Sequence, residues 1–256
     1  MPDAAPLSPA GLARVLRAMG ATASRAGTYA PLLTHYAPAY GVDASPLRFA
    51  HFLGQVAHES GRLRYNEEIA SGAAYEGRAD LGNTEPGDGR RFKGRGLIQL
   101  TGRTNYRLFT QRIRAEGYDA PDFERNPESV ALLPWSVLAA FDYWDRRRIN
   151  ETADMGDHRK DVEAVTRKIN GGLNGIEDRV DLFLIAAEEI RREAGMAPGA
   201  PLDAWPEPLP PEPTGPLPSE PPVAPPELDP TASGAAVSKH PRGMSKLPPG
   251  TTKGGT

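Results

Sequence analysis

The 256-residue sequence contains no cysteine. That excludes a disulfide framework, a thiolate metal site and a cysteine nucleophile, and it fits either redox compartment. Aromatic residues are few, at 7%, as in a modest soluble core. No apolar run approaches the roughly 18 residues needed to span a membrane. The opening Met1-Pro2-Asp3-Ala4-Ala5-Pro6 has neither a basic n-region nor an apolar h-region, so no cleaved secretion signal is expected. There is no excess of positive charge. The net charge is −3, which gives no global field for nucleic acid. Several short motifs are incomplete. Arg62 stands where a zinc-binding HExxH would need its second histidine after His58-Glu59. Gly87-Asp88-Gly89 lacks the third glycine and the preceding strand of a dinucleotide fingerprint. Ser60 lacks the setting of a hydrolase elbow. No cofactor and no metal is expected.

Proline is abundant but unevenly placed. Residues 195–256 hold 17 of the 27 prolines, and Trp205 and Leu228 are the two apolar anchors worth naming there. Such a segment buries too little apolar surface to offset its ordering entropy. The composition therefore predicts one domain over residues 1–194 and an extended, proline-rich disordered tail over 195–256. The end of that tail carries Lys239, Arg242, Lys246 and Lys253 without an acid. No internal repeat is present.

Residues 1–194 read as mostly helical. Ser8-Pro9 and Ser45-Pro46 each pair an N-cap with a proline at the first helical position. Leu12, Val15, Leu16 and Met19 form an apolar face after the first. Further helices are predicted over Tyr29 to Tyr40 with a kink at Pro38, Tyr106 to Glu116, Pro134 to Arg148, Asp161 to Ile169 and Glu177 to Arg192. Between Ala70 and Leu97 the chain turns glycine-rich, which predicts loops and short strands. An α-rich α+β domain follows.

One helix carries chemistry. Phe49, Phe52, Val56, Glu59 and Leu63 form a single stripe, so Glu59 sits on an apolar face. Burial there penalises the charged form and favours a protonated acid. A buried glutamate satisfied by an arginine reads equally well from the stripe alone. Glu68 follows nine residues later, about 900° on an ideal helix, so the two side chains share a cleft only if the helix ends between them. Gly61 is placed to end it. Glu67 competes with Glu68 for the second position. His35, His51 and His158 read as structural. His51, Gln55 and His58 are predicted on the face opposite Glu59, against solvent or a neighbouring helix.

His58-Glu59-Ser60-Gly61, Glu67-Glu68 and the run from Gly87 to Gly102 together resemble family 19 glycoside hydrolases, the plant-type chitinases and related bacteriophage endolysins. The phage-lysin and bacteriocin-associated branch is the nearest. The resemblance covers residues 45–190 and implies a lysozyme-like fold, with mostly helices and a small irregular β/loop region lining a cleft. It implies Glu59 as general acid and Glu68 as the base that activates water. Gly94-Arg95-Gly96-Leu97-Ile98-Gln99-Leu100-Thr101, followed by Asn105-Tyr106, matches the family's second signature. There Thr101 would orient the water, and Gln99, Asn105 and Tyr106 would meet sugar. On an extended segment Gln99 and Thr101 also face one side. Asn170 to Gly175 resembles a third segment, with Asn170 as a substrate-binding asparagine and Arg179 as an arginine supporting the base. The plant enzymes' disulfide cysteines are absent.

The expected function is hydrolysis of peptidoglycan between N-acetylmuramic acid and N-acetylglucosamine by an inverting, two-carboxylate mechanism. The rival enzyme is a chitinase on poly-N-acetylglucosamine. The rival of another class is a non-catalytic glycan-binding or assembly protein docked through its proline-rich tail. A monomer is expected, made in the cytoplasm and released to the cell wall in the periplasm by a holin or a phage- or bacteriocin-type assembly. Arg146 to Arg148 read as solvated surface. Arg90, Arg91, Lys93 and Arg95 read equally as surface or as a hold on an anionic polymer.

Overall fold

The structure, a computed structural model, describes residues 7–206. The described residues form α1 (Pro9–Ala18), α2 (Ala23–Tyr36), α3 (Pro46–Glu59), α4 (Asp88–Arg91), α5 (Arg103–Ala115), α6 (Trp135–Arg146), α7 (Ile149–Ala153), α8 (Arg159–Asn170) and α9 (Ile176–Glu193). Both Ser-Pro starts form as read. The Ser8 hydroxyl accepts from Gly11 N at 3.1 Å, and Ser45 accepts from Arg48 N at 3.2 Å. The second helix begins earlier than expected because Thr22 caps it, and Pro31 lies inside it. Its predicted end, Ala37–Tyr40, is instead a 3-10 turn around Pro38.

The fold is α-rich, and the glycine-rich stretch from residue 70 to 97 is irregular as expected, but with 3-10 turns and a short helix in place of the expected short strands. Its β content is small: Glu67 and Leu100 each form an isolated bridge with Arg95. Carboxylates stitch this stretch in place of strands. Glu76 accepts from Gly87 N and Gly89 N at 2.6 and 2.8 Å, and Arg103 grips Asp88.

Helix α3 runs through the core and lies along α9. The approach is close. A Cβ on Gly54 would sit 3.1 Å from the Phe183 backbone nitrogen, so glycine is needed at that crossing. Phe52 stacks on Phe141 at 4.6 Å and meets Trp144 edge-on at 5.2 Å, which ties α3 to α6.

Of the two expected surroundings of His51, Gln55 and His58, the structure shows neighbouring helices: His51 and His58 meet α9, and Gln55 meets α8. His51 is buried, with Nε2 donating to the Gly156 carbonyl at 2.9 Å and its ring stacked on Phe183. Gln55 stands one turn before Glu59 and shares its face. The expected placement opposite Glu59 fails because a spacing of four turns the helix by only about 40° beyond one full turn. Burial lowers the His51 imidazole to about 4. A depressed folded value means that unfolding takes up a proton, so this stabilisation is full above about pH 6.5 and falls away as pH drops through 4. The loss is expected to reach about 3 kcal/mol by pH 4. Urea melts at pH 7 and 4 should show it, and His51→Leu should flatten that slope. An equally steep slope in the variant removes His51 as the cause.

The domain also continues beyond residue 194. Leu202 and Trp205 are buried, Leu47 N donates to Leu202 O at 3.0 Å, and Trp205 Nε1 donates to Asp43 O at 2.6 Å. Proline density misplaced the boundary, because two apolar anchors suffice to dock a short segment. The remainder of the predicted tail, residues 207–256, lies outside the described residues.

Candidate active site

Helix α3 ends at Glu59 because the chain turns sharply after it. Gly61, Arg62 and Leu63 all adopt left-handed backbone, at φ of 56°, 60° and 61°. For the two non-glycine residues this costs on the order of 1 kcal/mol each. Buried Ser60 locks the bend: its hydroxyl donates to Val56 O at 2.7 Å and accepts from Leu63 N at 2.9 Å. Asp178 braces it from α9, at 2.6 Å from His58 Nδ1 and ion-paired to Arg62. His58 fits because Gly175 has no side chain, since a Cβ there would meet the ring at 2.2 Å.

Glu59 is not desolvated to the degree its stripe suggests. Its side chain keeps 18% exposure at the helix end. Arg179, at 2% exposure, pairs with Glu59 Oε1 from below. Arg179 also donates from Nη1 to Gln55 Oε1 at 2.5 Å and from Nε to Asn174 O at 3.1 Å, while Gln55 donates to Thr166 at 3.0 Å. Arg179 therefore neither lines the cavity beside Glu59 nor contacts Glu68. It orients Glu59. Gln55 completes that network and was missed, although its spacing of four from Glu59 was the available signal.

Glu59 opens into a cavity of about 430 Å³ lined also by Tyr75, Arg78, Gln99, Thr101, Asn105, Tyr143, Arg146, Arg147 and Asn170. Four expected residues therefore meet Glu59 there. Gln99 and Thr101 reach it by a different route from an extended strand. Arg95 and Leu100 exchange backbone hydrogen bonds at 3.0 and 2.7 Å around a tight turn, with Gln99 at φ 57°. The Thr101 hydroxyl donates to Gln99 O at 2.8 Å, leaving its lone pairs to accept. Asn105 Nδ2 donates to Thr101 O at 2.7 Å, and Asn170 caps its own loop through Gly172 N at 2.8 Å.

Tyr106 is not a contact residue. It is buried, donates to Lys93 O at 2.6 Å and accepts from Arg95 Nη1 at 3.1 Å. Its place after Asn105 on α5 turns it into the core.

The neighbours Glu67 and Glu68 diverge. Glu67 pairs with Arg95 and Lys93, at 3.0 and 3.2 Å. Glu68 points the other way, accepting from Tyr75 OH at 3.1 Å and from Gly94 N at 3.1 Å. Tyr75 lines the cavity, so Glu68 stands one side chain behind its wall. The absent side chain of Gly94 lets both Glu68 and Gln99 approach. Of the cationic run 90–95, Lys93 and Arg95 hold this pair of glutamates, and Arg91 binds the carbonyls of Glu124 and Arg125. Arg146, read as surface, is instead part-buried at the cavity, whereas Arg147 is exposed as read and also lines the cavity. Among the described residues no cluster of histidine, aspartate or glutamate is arranged to hold a metal, and no helix is long and apolar enough to cross a membrane.

No family model matches the chain. A Haemophilus influenzae protein described as containing a glycosyl hydrolase family 19 domain is 40% identical over 117 residues, covering 45% of this chain and 51% of that protein. An Arabidopsis thaliana endochitinase is 32% identical over 170 residues, covering 64% and 54%. The chain thus spans about half the length of these curated relatives. Chitinase C from Streptomyces griseus shares the fold with a TM-score of 0.51 at 23% identity, covering 76% of this chain and 78% of that one. A bacterial family 19 chitinase does so at 0.51 and 22%, over 76% and 97%. The HESG turn and the glycine-rich wall agree with these matches: over part of its length the chain is similar in sequence to family 19 glycoside hydrolases, and its fold is one that solved chitinases share.

Proposed function

We propose that the protein hydrolyses β-1,4 bonds of an aminosugar polymer, with peptidoglycan as the polymer and the bond between N-acetylmuramic acid and N-acetylglucosamine as the target. The observation that carries this reading is Glu59, a carboxylate held by buried Arg179 at a cavity that also presents the amides of Gln99, Asn105 and Asn170 and the hydroxyls of Tyr75, Thr101 and Tyr143. Only its Oε1 is engaged by Arg179, which leaves Oε2 for a glycosidic oxygen. In this mechanism Glu59 gives its proton to the leaving oxygen. Glu68, set behind Tyr75, takes up the proton of the attacking water through the Tyr75 hydroxyl, which passes its own proton to Glu68 as it receives the water's, and Thr101 accepts a hydrogen bond from that water to aim its lone pair. The Tyr75 hydroxyl and Gly94 amide hold the Glu68 carboxylate in place. Gln99, Asn105 and Asn170 offer amides to sugar hydroxyl and N-acetyl groups. A non-catalytic glycan binder has no need of such a carboxylate pair.

Two measurements test the assignment. Glu68→Gln is expected to lower the rate at least a hundredfold, the usual weight of a general base. Glu67→Gln should act mainly on stability, since its partners are Arg95 and Lys93. The reverse order would make Glu67 the base. Proton NMR of fresh products should show the α-anomer first. An initial β-anomer or a 1,6-anhydro end contradicts the inverting route. In the same proposal a holin or a phage- or bacteriocin-type assembly gives access to the wall. Expression of the chain alone in a Gram-negative cell should then leave growth intact until the inner membrane is permeabilised.

A further inference from the structure

The cleft carries positive charge that hydrolysis of a neutral polymer does not require. Arg146 ends α6 and Arg147 follows it, three and four residues after Tyr143, so all three share one face. Both guanidinium groups lie over the Tyr143 ring, at 4.8 and 4.6 Å from its centre, and the Tyr143 hydroxyl is fixed on Ile169 O at 2.6 Å. All three line the cavity that holds Glu59.

Neither arginine is well compensated. Among the described residues the only carboxylate ion-paired to Arg146 is Asp142, at 3.8 Å, and Arg112 already grips both oxygens of Asp142. Arg146 Nε is buried without a hydrogen-bond partner, and burial lowers the affinity of this guanidinium for its proton. Among the described residues Arg147 has no carboxylate within 4 Å, and its contact is the Lys168 carbonyl at 3.2 Å. By contrast Arg78 across the cavity is paired with Asp80, and Arg148 with Glu151. For part-buried Arg146 an underused donor is unfavourable unless a bound anion completes it, while exposed Arg147 stands beside it with its charge open to the cavity. Planar guanidinium groups suit a carboxylate.

We infer that Arg146 and Arg147, braced on Tyr143, form a carboxylate-binding subsite beside Glu59, and that the polymer cut here bears a carboxylate close to the scissile bond. This rests on the reading of the cleft as a glycosidase site. It sets the substrate class: a carboxylate-bearing aminosugar chain, such as one with lactyl or peptide carboxylates, in preference to a neutral one.

The test compares kcat/KM for a soluble peptidoglycan oligosaccharide, the same material with its carboxylates amidated, and a chito-oligosaccharide of equal length. Arg147→Gln is expected to lower the ratio of carboxylate-bearing to neutral rates about tenfold, the weight of one charge-assisted hydrogen bond. Arg147→Lys should recover part of it, and amidation should reproduce the loss with the unaltered protein. Calorimetric binding of the same glycans to the full-length Glu59→Gln protein supplies an independent readout. Arginine-dependent preference for the carboxylate glycan without turnover by the unaltered protein would sink the hydrolase reading and leave this subsite standing. A ratio and a binding preference that stay within twofold after Arg147→Gln overturn the subsite.

Discussion

Glu59→Gln is expected to cut turnover about a thousandfold or more while the protein stays folded. The rate effect follows from the proposed chemistry, since an amide cannot protonate a leaving oxygen. The structural effect follows from Arg179. That guanidinium is almost fully buried, and its contacts are Glu59, Gln55 and the Asn174 carbonyl. Glutamine keeps an oxygen where Arg179 donates, so the cost should be modest, about 1–3 kcal/mol. Alanine removes the acceptor and leaves a buried charge short of a partner, which costs more, about 3–5 kcal/mol. Activity assays with thermal melts on both variants separate the two roles. A folded Glu59→Gln protein with a near-normal rate would remove Glu59 from the chemistry. Equal melting temperatures for the Gln and Ala variants would remove Arg179 as its support.

A chain ended at Gly195 is expected to melt well below the full-length protein. Such a chain loses the buried Leu202 and Trp205 and three tertiary hydrogen bonds, those of Leu47, Arg191 and Trp205 to or from this segment. Removing a buried tryptophan alone costs about 3 kcal/mol or more. For a domain of this size each kcal/mol lowers the melting temperature by roughly 2–4 °C, so a drop on the order of 10 °C follows. A chain ended at Pro206 should melt with the full-length protein, as the proline-rich composition after it implies. Trp205→Ala should account for most of the difference. Identical melting of all three proteins would mean that residues 196–206 add nothing to the fold.

The difference between these two results marks how far sequence patterns carry. Amphipathic periodicity and capping chemistry located the helices because they are local rules. Ser8, Ser45 and Gly61 act within a few residues of themselves. The position of Glu59 at a helix end, ahead of an irregular glycine-rich wall, was legible for the same reason. The family motifs brought Gln99, Thr101, Asn105 and Asn170 to the same cavity. Tyr106 failed because adjacency in a motif does not say which way a side chain points. A helix turns about 100° per residue, so the neighbour of a cleft asparagine faces the core.

The sequence by itself determined the helical lobe, the turn that presents Glu59, and the absence of thiol chemistry. Only the tertiary structure decided what surrounds that carboxylate. Arg179 stands 120 residues away in the chain and reaches Glu59 because α9 lies against α3. Arg146 looks like solvated surface until α6 sets it, part-buried, in the cavity wall beside exposed Arg147. Leu202 and Trp205 look like tail until they dock near the start of α3. In each case the deciding energy comes from contacts between distant segments, and such contacts leave no periodic trace in the sequence.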